Sequence, residues 1–477
     1  MKADEKNYYI AVDLGATSGR VILASFDGEK VETEEIHRFK HPMLPIGGHI
    51  FWNLPGLYNE VLTGLRNASV KLGEIGAEAR SIGIDTWGCD VAYFHADGTI
   101  AGLPYCYRDP HTTGAVDKFC EEMPREKVYE KTGIQFMDFN TLFQLHTLSK
   151  KNGNALKIAD KILFMPDALS YMLTGNAVTE RTVASTSQIL NPTTGELDAE
   201  LLEKAGLTPD RFGKLVNPGY VIGTLTPGVQ QATGLGAVPV VAVAGHDTAS
   251  AVIGVPAKDE KFAYLSCGTW SLLGVESPKP IINDKAFGYN FTNEGGIDGS
   301  IRFLKNICGL WLLERSRTEL KDAPENIADL CALYTTTDIE STINPDDPAF
   351  ANPKSMTEAI KEYCKRTGQQ VPETAAEFMR VIFRSLALRY KEVLGWLREL
   401  SPNEINTLHV IGGGCQNAHL MQLTADAISL PVVAGPSEST ALGNILVQLR
   451  ADNRVKDIAD MRRVAVNSTE TKTYLPK

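Results

Sequence analysis

A chain of 477 residues, 43% apolar and 22% charged, has the composition of a globular protein and is longer than one ordinary core fills, so two domains are expected. Its net charge of −11 comes with no Lys/Arg run, which argues against nucleic acid or an anionic membrane surface as a partner. No segment approaches the roughly 20 apolar residues of a membrane span, the opening MKADEKNYYI has no apolar signal segment, and the eight scattered cysteines read as reduced thiols, so a cytoplasmic location is expected.

Along the chain, AVDLGATSGRVILASFDG (11–28) reads as strand, tight turn and strand, with Asp27-Gly28 closing the next hairpin. It places one acid, Asp13, in an otherwise apolar strand. RSIGIDTWGCDVAYF (80–94) reads as strand, polar turn and strand, and VPVVAVAGHDTASAVIG (238–254) as an apolar strand, a small-residue turn and a helix start. Strands buried on both faces predict mixed α/β architecture. KFAYLSCGTWSLLGVES (261–277) repeats the pattern of the first hairpin, so the halves read as distant copies of one unit. PETAAEFMRVIFRSLALRYKEVLGWLREL (372–400) opens with a capping box, Thr374 and Glu377. Phe378, Ile382, Leu386, Tyr390, Val393 and Leu397 then recur at helical spacing, which predicts a long helix with one buried face. LHVIGGGCQNAHLMQLTADAISLPV (408–432) follows as strand, glycine turn and helix. The expected division is 7–250, 251–451 and a peripheral tail over 452–477.

A glycine-bearing turn presents consecutive backbone N–H groups to an anion. Gly15, Thr17, Ser18, Gly19 and Arg20 in the first hairpin, and Gly268, Thr269 and Ser271 in the second, offer that chemistry to phosphate at matching places. Either turn alone is also an ordinary hairpin; the pair together favours phosphate. Asp13, at the mouth of the first turn, is a candidate Mg²⁺ ligand, because that ion takes one or two carboxylates with substrate phosphates. Capping the turn amides is its alternative role. Asp247 sits between a buried strand and a helix start, among Gly245, His246 and Thr248. There the helix N-terminus is expected to keep it ionised and able to take a proton from a hydroxyl; helix N-capping is the compatible alternative. Gly412-Gly413-Gly414 before a helix is a weak nucleotide signal by itself, and the chain has neither a P-loop nor a complete G-x-G-x-x-G after a strand.

DLGATSGR, LSCGTWSL and IGGGCQN resemble the two phosphate loops and the adenosine loop of the actin-like ATPases, and AGHDTASAV is similar to the G-H-D-x-x-x-A segment of the FGGY carbohydrate kinases. GHIFWN, GIDTWGCD, YRDPHT, TGIQFMDFNTLFQL, LFMPDALSYMLTG, ASTSQ and RFLKNICGLWLLE are similar, in order and spacing, to segments of the bacterial rhamnulokinases of that family. The resemblance covers nearly the whole chain. It implies two actin-like (ribonuclease H-like) α/β domains with a catalytic cleft between them, and transfer of phosphate from ATP, with Mg²⁺, to the 1-hydroxyl of L-rhamnulose. Carried over residue by residue, it makes Asp247 the base. Gly88, His246, Thr248 and Asn306 would contact the ketose, with Trp87 and Asp90 nearby. Ala16, Thr17, Ser18, Gly19, Arg20 and Thr269 would meet the phosphates, and Gly412, Gly413 and Gly414 the adenosine. Glu314 stands where related kinases often carry Gln, and an ionised carboxylate accepts but does not donate, which puts a direct nucleotide contact there in doubt.

Other ketoses, such as L-fuculose or L-xylulose, fit the same pattern, since stereoisomers are told apart by a few hydrogen bonds. An ATP-binding sugar sensor or actin-like assembly protein is the reading from a different class. Monomer and homodimer are equally compatible with the sequence.

Overall fold

The computed structural model describes residues 6–477. They form two compact units. One is made by the chain up to Pro256 with Glu276–Phe303 and Thr440–Ser468, the other by Ala257–Val275, Leu304–Ser439 and Thr469–Lys477. Among the described residues no helix is long and apolar enough to cross a membrane.

The first unit is organised on a six-stranded sheet in the order Tyr220–Thr224, Pro239–Ala242, Ala79–Thr86, Asn7–Leu14, Ser18–Phe26, Val31–Lys40. Its hairpin is the one expected from 11–28: Asn7–Leu14 runs antiparallel to Ser18–Phe26, aligning Asp13 with Arg20. Gly19 is required by packing as well as by the turn, since a Cβ there would lie 2.4 Å from both Leu14 and Phe39. Asp27 closes the following turn by accepting from the amides of Glu29 and Lys30, each at 2.9 Å. Asn7–Leu14, Ala79–Thr86 and Pro239–Ala242 are mutually parallel neighbours. Their apolar residues are buried on both faces, Ile10, Val12 and Ile82 against the helix Leu54–Glu74, and Tyr9, Ala11 and Val241 against residues of the helices Ser439–Ala451 and Ile458–Ser468. The two strands of 80–94 part company: Val91–Phe94 leaves the large sheet and pairs with Lys161–Phe164 and Ile100–Gly102.

The second unit repeats the plan. Phe262–Cys267 and Trp270–Ser277 form the hairpin, Thr407–Ile411 lies parallel to Phe262–Cys267, Val432–Ala434 follows parallel, and Lys472–Tyr474 closes the edge antiparallel. Ile301–Cys308 lies beyond Trp270–Ser277. Around the hairpin the two sheets match, with a further strand beside the second arm, the two arms, then two parallel strands and an antiparallel edge, which is the duplication read from the sequence; the second sheet adds a seventh strand, Thr292–Gly295, beyond Ile301–Cys308. Ala375–Leu400 is the expected long helix, with both hydrogen bonds of the Thr374/Glu377 capping box and all six periodic residues buried. Tyr390 on it hydrogen-bonds Ser271 of the hairpin at 2.7 Å.

The expectation of a peripheral tail from 452 is corrected. Met461, Val464 and Ala465 on Ile458–Ser468 are fully buried, and Lys472–Tyr474 is a sheet strand. The i, i+3, i+4 spacing of those three residues is a helix face, hidden in the sequence by charged neighbours.

Candidate active site

In a sheet of parallel strands, ligands gather beyond the carboxyl ends, and the first unit places acids there. Asp13 and Asp85 are the penultimate residues of adjacent parallel strands and are aligned in register. The third strand leads through Val243–His246 to Asp247. That loop is tied to the second strand end, because the Thr86 amide donates to the Gly245 carbonyl at 2.9 Å and Thr86 bridges His246.

Each acid is handled differently. Asp13 accepts from Arg20 Nη2 at 2.5 Å. Asp85 is fully buried; Asn444 donates to its Oδ2 at 2.6 Å, and its Oδ1 has no donor among the described residues. Burial, then the charge of Asp13, pushes the Asp85 carboxyl well above its ordinary range. Asp247 is the first residue of the short helix Asp247–Ile253, and the N-cap position belongs to His246. Burial raises the Asp247 carboxyl; His246 draws it down and Asp13 pushes it up again. The helix end expected to keep this acid ionised is thus opposed by desolvation. Among the described residues its hydrogen-bond donors fall on one oxygen. Oδ1 receives the Thr248 amide at 2.6 Å and the Thr248 hydroxyl at 3.2 Å, with His246 Nε2 at 3.4 Å. The side chain is 29% exposed, and Oδ2 is the oxygen left to accept a proton.

The first turn leaves backbone donors open. Thr17 is exposed and Ala16 and Ser18 are half-buried. The Gly15 amide closes the turn on the Ser18 carbonyl at 3.0 Å, whereas the amides of Ala16 and Thr17 are spent on no other backbone carbonyl among the described residues.

Beside it stands an aromatic wall. Trp87 packs on Trp52 with ring centroids 4.2 Å apart and is stacked by His41 at 5.4 Å. His41 in turn bonds the Gly15 carbonyl at 2.7 Å. Gly88 lies against Thr186, 2.8 Å from where a Cβ would sit, and Cys89 takes a left-handed φ of 69°. Asp90 is the post for this wall. It accepts from Trp52 Nε1 at 2.6 Å, Trp87 Nε1 at 3.0 Å, the Tyr107 amide at 3.1 Å and Gln144 at 2.9 Å, and is 1% exposed. It has no exposed acceptor for a sugar, so the expected place of Asp90 beside the ketose becomes a role in holding Trp87.

In the second unit the backbone does the corresponding work. The Leu310 amide donates to the Gly268 carbonyl at 2.9 Å, and those of Gly309 and Trp311 to the Thr269 carbonyl at 3.2 Å, which seats the helix Trp311–Arg317 on the Thr269 turn. Gly412 has a φ of 82° and would meet the Cys267 carbonyl 3.0 Å from a Cβ; at Gly414 a Cβ would be 2.3 Å from Cys267 Sγ. Gly413 has open space. Glu314, half exposed, pairs with Arg317 at 3.2 Å, consistent with an acid that serves its own helix. Asn306 is half-buried on Ile301–Cys308.

Sequence reasoning missed Asp85, although it is a second acid at the end of an apolar strand and carried the same signal as Asp13. It also missed Glu180, Glu294 and Arg302. Glu180 is buried and accepts from the Gly245 amide at 2.9 Å and the Thr182 hydroxyl at 2.6 Å, holding the loop that leads to Asp247.

Residues 8–254 match the N-terminal domain of the FGGY family of carbohydrate kinases and residues 263–451 its C-terminal domain. The chain belongs to that family. It is therefore a carbohydrate kinase that uses ATP, and the FGGY membership disposes of the sensor and assembly readings. A rhamnulokinase of Bacteroides thetaiotaomicron is 54% identical over 476 residues, 99% of this chain and 96% of the relative. A rhamnulokinase of Mannheimia succiniciproducens is 43% identical over 97% of this chain and 94% of the relative. Among solved structures, a gluconate kinase and a ligand-bound xylulose kinase, both of Lactobacillus acidophilus, share the fold with a TM-score of 0.82 each, at 17% and 18% identity over 99% of this chain and 94% of theirs. The mixed α/β two-domain kinase fold of the FGGY proteins is the one expected.

Proposed function

We propose that this protein transfers the γ-phosphoryl group of ATP to the 1-hydroxyl of L-rhamnulose, in the cytoplasm, as a step in rhamnose breakdown. The names of the full-length relatives support the sugar, and the observation that carries the chemistry is Asp247, whose donors among the described residues all meet Oδ1 and leave Oδ2 open. Its raised carboxyl makes it a stronger base than an exposed aspartate, which suits proton removal from a hydroxyl. Oδ2 takes that proton as the sugar oxygen attacks. Gly88, Thr248 and Asn306 hold the ketose, Trp87 forms its apolar wall, and His246, whose two ring nitrogens face Arg302 and Asp247, serves the base rather than the sugar. The amides and hydroxyls of Ala16–Arg20, with Thr269, cradle the phosphates; Gly412–Gly414 admit the adenosine. Such transfer depends mainly on positioning and charge stabilisation.

Mg²⁺ fits the residues present. Asp13, with the donorless Oδ1 of Asp85 beside it in register, offers the one or two carboxylates that this ion combines with water and phosphate. Among the described residues no group of three or more His, Cys, Asp or Glu forms a metal cage, so an ion here would share its ligands with the nucleotide. When bound it would neutralise developing phosphate charge.

The test is ATP-dependent phosphorylation of L-rhamnulose, L-fuculose, L-xylulose, D-xylulose and glycerol, with the product position read by NMR. Preference for L-rhamnulose with phosphate on O1 is the expected result. Preference for another ketose overturns the substrate and leaves the family chemistry in place.

A further inference from the structure

Behind Asp247 lies a buried charged pair that the phosphate and sugar contacts do not use. Arg302, 1% exposed, and Glu294, 6% exposed, approach to 3.0 Å. Arg302 Nε donates to the Gly295 carbonyl at 2.9 Å, and its Nη1 has no acceptor among the described residues. A buried ion pair with an unsatisfied nitrogen is a poor stabiliser, because the desolvation of both charges is incompletely offset. What the pair does face is His246. Nδ1 of that ring is 3.1 Å from Arg302 Nη2 and 3.3 Å from Glu294 Oε2, while Nε2 is 3.4 Å from Asp247 Oδ1.

Consider the states open to the ring. With Nδ1 bare, it accepts from Arg302 and the single proton sits on Nε2, aimed at Asp247. With both nitrogens protonated, Nδ1–H passes to Glu294 and Nε2–H still faces Asp247. Only the remaining tautomer, with Nε2 bare, sets a lone pair against the ionised carboxylate. By offering Nδ1 a donor and an acceptor side by side, Arg302 and Glu294 serve the two states that present Nε2–H and leave the third opposed by Asp247. Burial alone would raise the Glu294 carboxyl, but Arg302 and His246 hold it below its ordinary value, so the acceptor stays ionised.

We propose that Arg302 and Glu294 are positioning residues that fix the Nε2–H form of His246, and so keep Asp247 Oδ1 bonded and Oδ2 the basic oxygen. The inference rests on Asp247 being the base. It explains how one oxygen of a partly exposed carboxylate is selected: Thr248 supplies local donors, and the donor state of the neighbouring His246 ring is fixed from strands some fifty residues further along the chain.

The experiment compares Arg302→Met, Arg302→Lys, Glu294→Gln and Asp247→Asn in the full chain, reading kcat and KM for sugar and ATP, denaturation midpoints, and ring ¹⁵N signals of histidine-labelled protein, with His246→Gln assigning the resonance. Arg302→Met should lower kcat about a hundredfold and Glu294→Gln about tenfold, the range that orienting partners of metal-bound histidines command, with both KM values little changed. The His246 signal should shift from Nε2–H toward Nδ1–H in Arg302→Met, and Arg302→Lys should restore both rate and signal. A purely structural pair would move the midpoint and leave rate and tautomer alone; that result overturns the proposal. If Arg302→Met fails to fold, an unchanged kcat in Glu294→Gln overturns it instead. Retention of turnover by Asp247→Asn would sink the base assignment itself, an outcome separable from failure of the Arg302–Glu294 pair.

Discussion

The two units share a strand order but not a chemistry. In the first, the penultimate residues of the hairpin strand and its parallel neighbour are Asp13 and Asp85; in the second they are Ser266 and Val410. The first unit thus spends its strand ends on carboxylates, and the second on small and apolar side chains that bring bare backbone close, as at Gly412 and Gly414 against Cys267. Duplication of a fold supplies two equivalent rims; a handful of substitutions at strand ends gives one of them acids and the other bare backbone, which is the division of labour proposed above.

That contrast is open to direct attack. Asp247→Asn should have the largest effect, a fall in kcat of about 10²–10⁴-fold, the usual worth of a positioned general base, while calorimetry still detects sugar and ATP binding. Asp13→Ala should come next, lowering the rate at fixed Mg²⁺ by about ten- to a hundredfold and leaving sugar affinity nearly intact; an unchanged Mg²⁺ dependence would remove Asp13 from the metal site. Gly412→Ala, which forces a Cβ to within 3.0 Å of the Cys267 carbonyl at a positive φ, should raise KM for ATP several-fold with the sugar KM steady. An equal rise in both would erase the distinction between the units.

Asp90→Asn should alter turnover least and stability in a pH-dependent way. Burial lifts the Asp90 carboxyl to about 6, with its four donors offsetting only part, against about 3.9 in the unfolded chain. Between those values the folded state binds more protons, so the stabilisation present below pH ~4 is lost as the pH rises through about 6. Relative to the protein, the Asn variant should gain about 3 kcal/mol over that interval, read as the difference in denaturation midpoints. A constant difference would show that Asp90 stays ionised throughout.

Local patterns in the sequence carried far. The two hairpins, the capping box of Ala375–Leu400 and the strand–turn–helix around Asp247 all follow from nearest-neighbour chemistry, in which turn residues, periodicity and caps lie within a few positions of one another. What escaped was assembled over distance. Asp85 is completed by Asn444, 359 residues away, and His246 by Arg302, 56 residues away. No local rule pairs such residues, because sheet topology brings them together. Asp90 misled for a related reason: its four donors come from four separate segments, so its isolation from solvent could not be read from GIDTWGCD. The tail was misjudged because only three apolar residues among charges make a weak stripe, strong only when a sheet is there to receive it.

Asn444 has one more consequence. It lies on Ser439–Ala451 and, through Gln448, joins Asp85 to Ser81 and to the Ile10 carbonyl. A ribosome making this chain releases Asp13, Asp85 and Asp247 long before it reaches residue 444. Domains tend to fold as they emerge, but here the amino-terminal sheet must wait for residue 444 to cover Asp85, so the floor of the candidate site sets only after most of the second unit has been made.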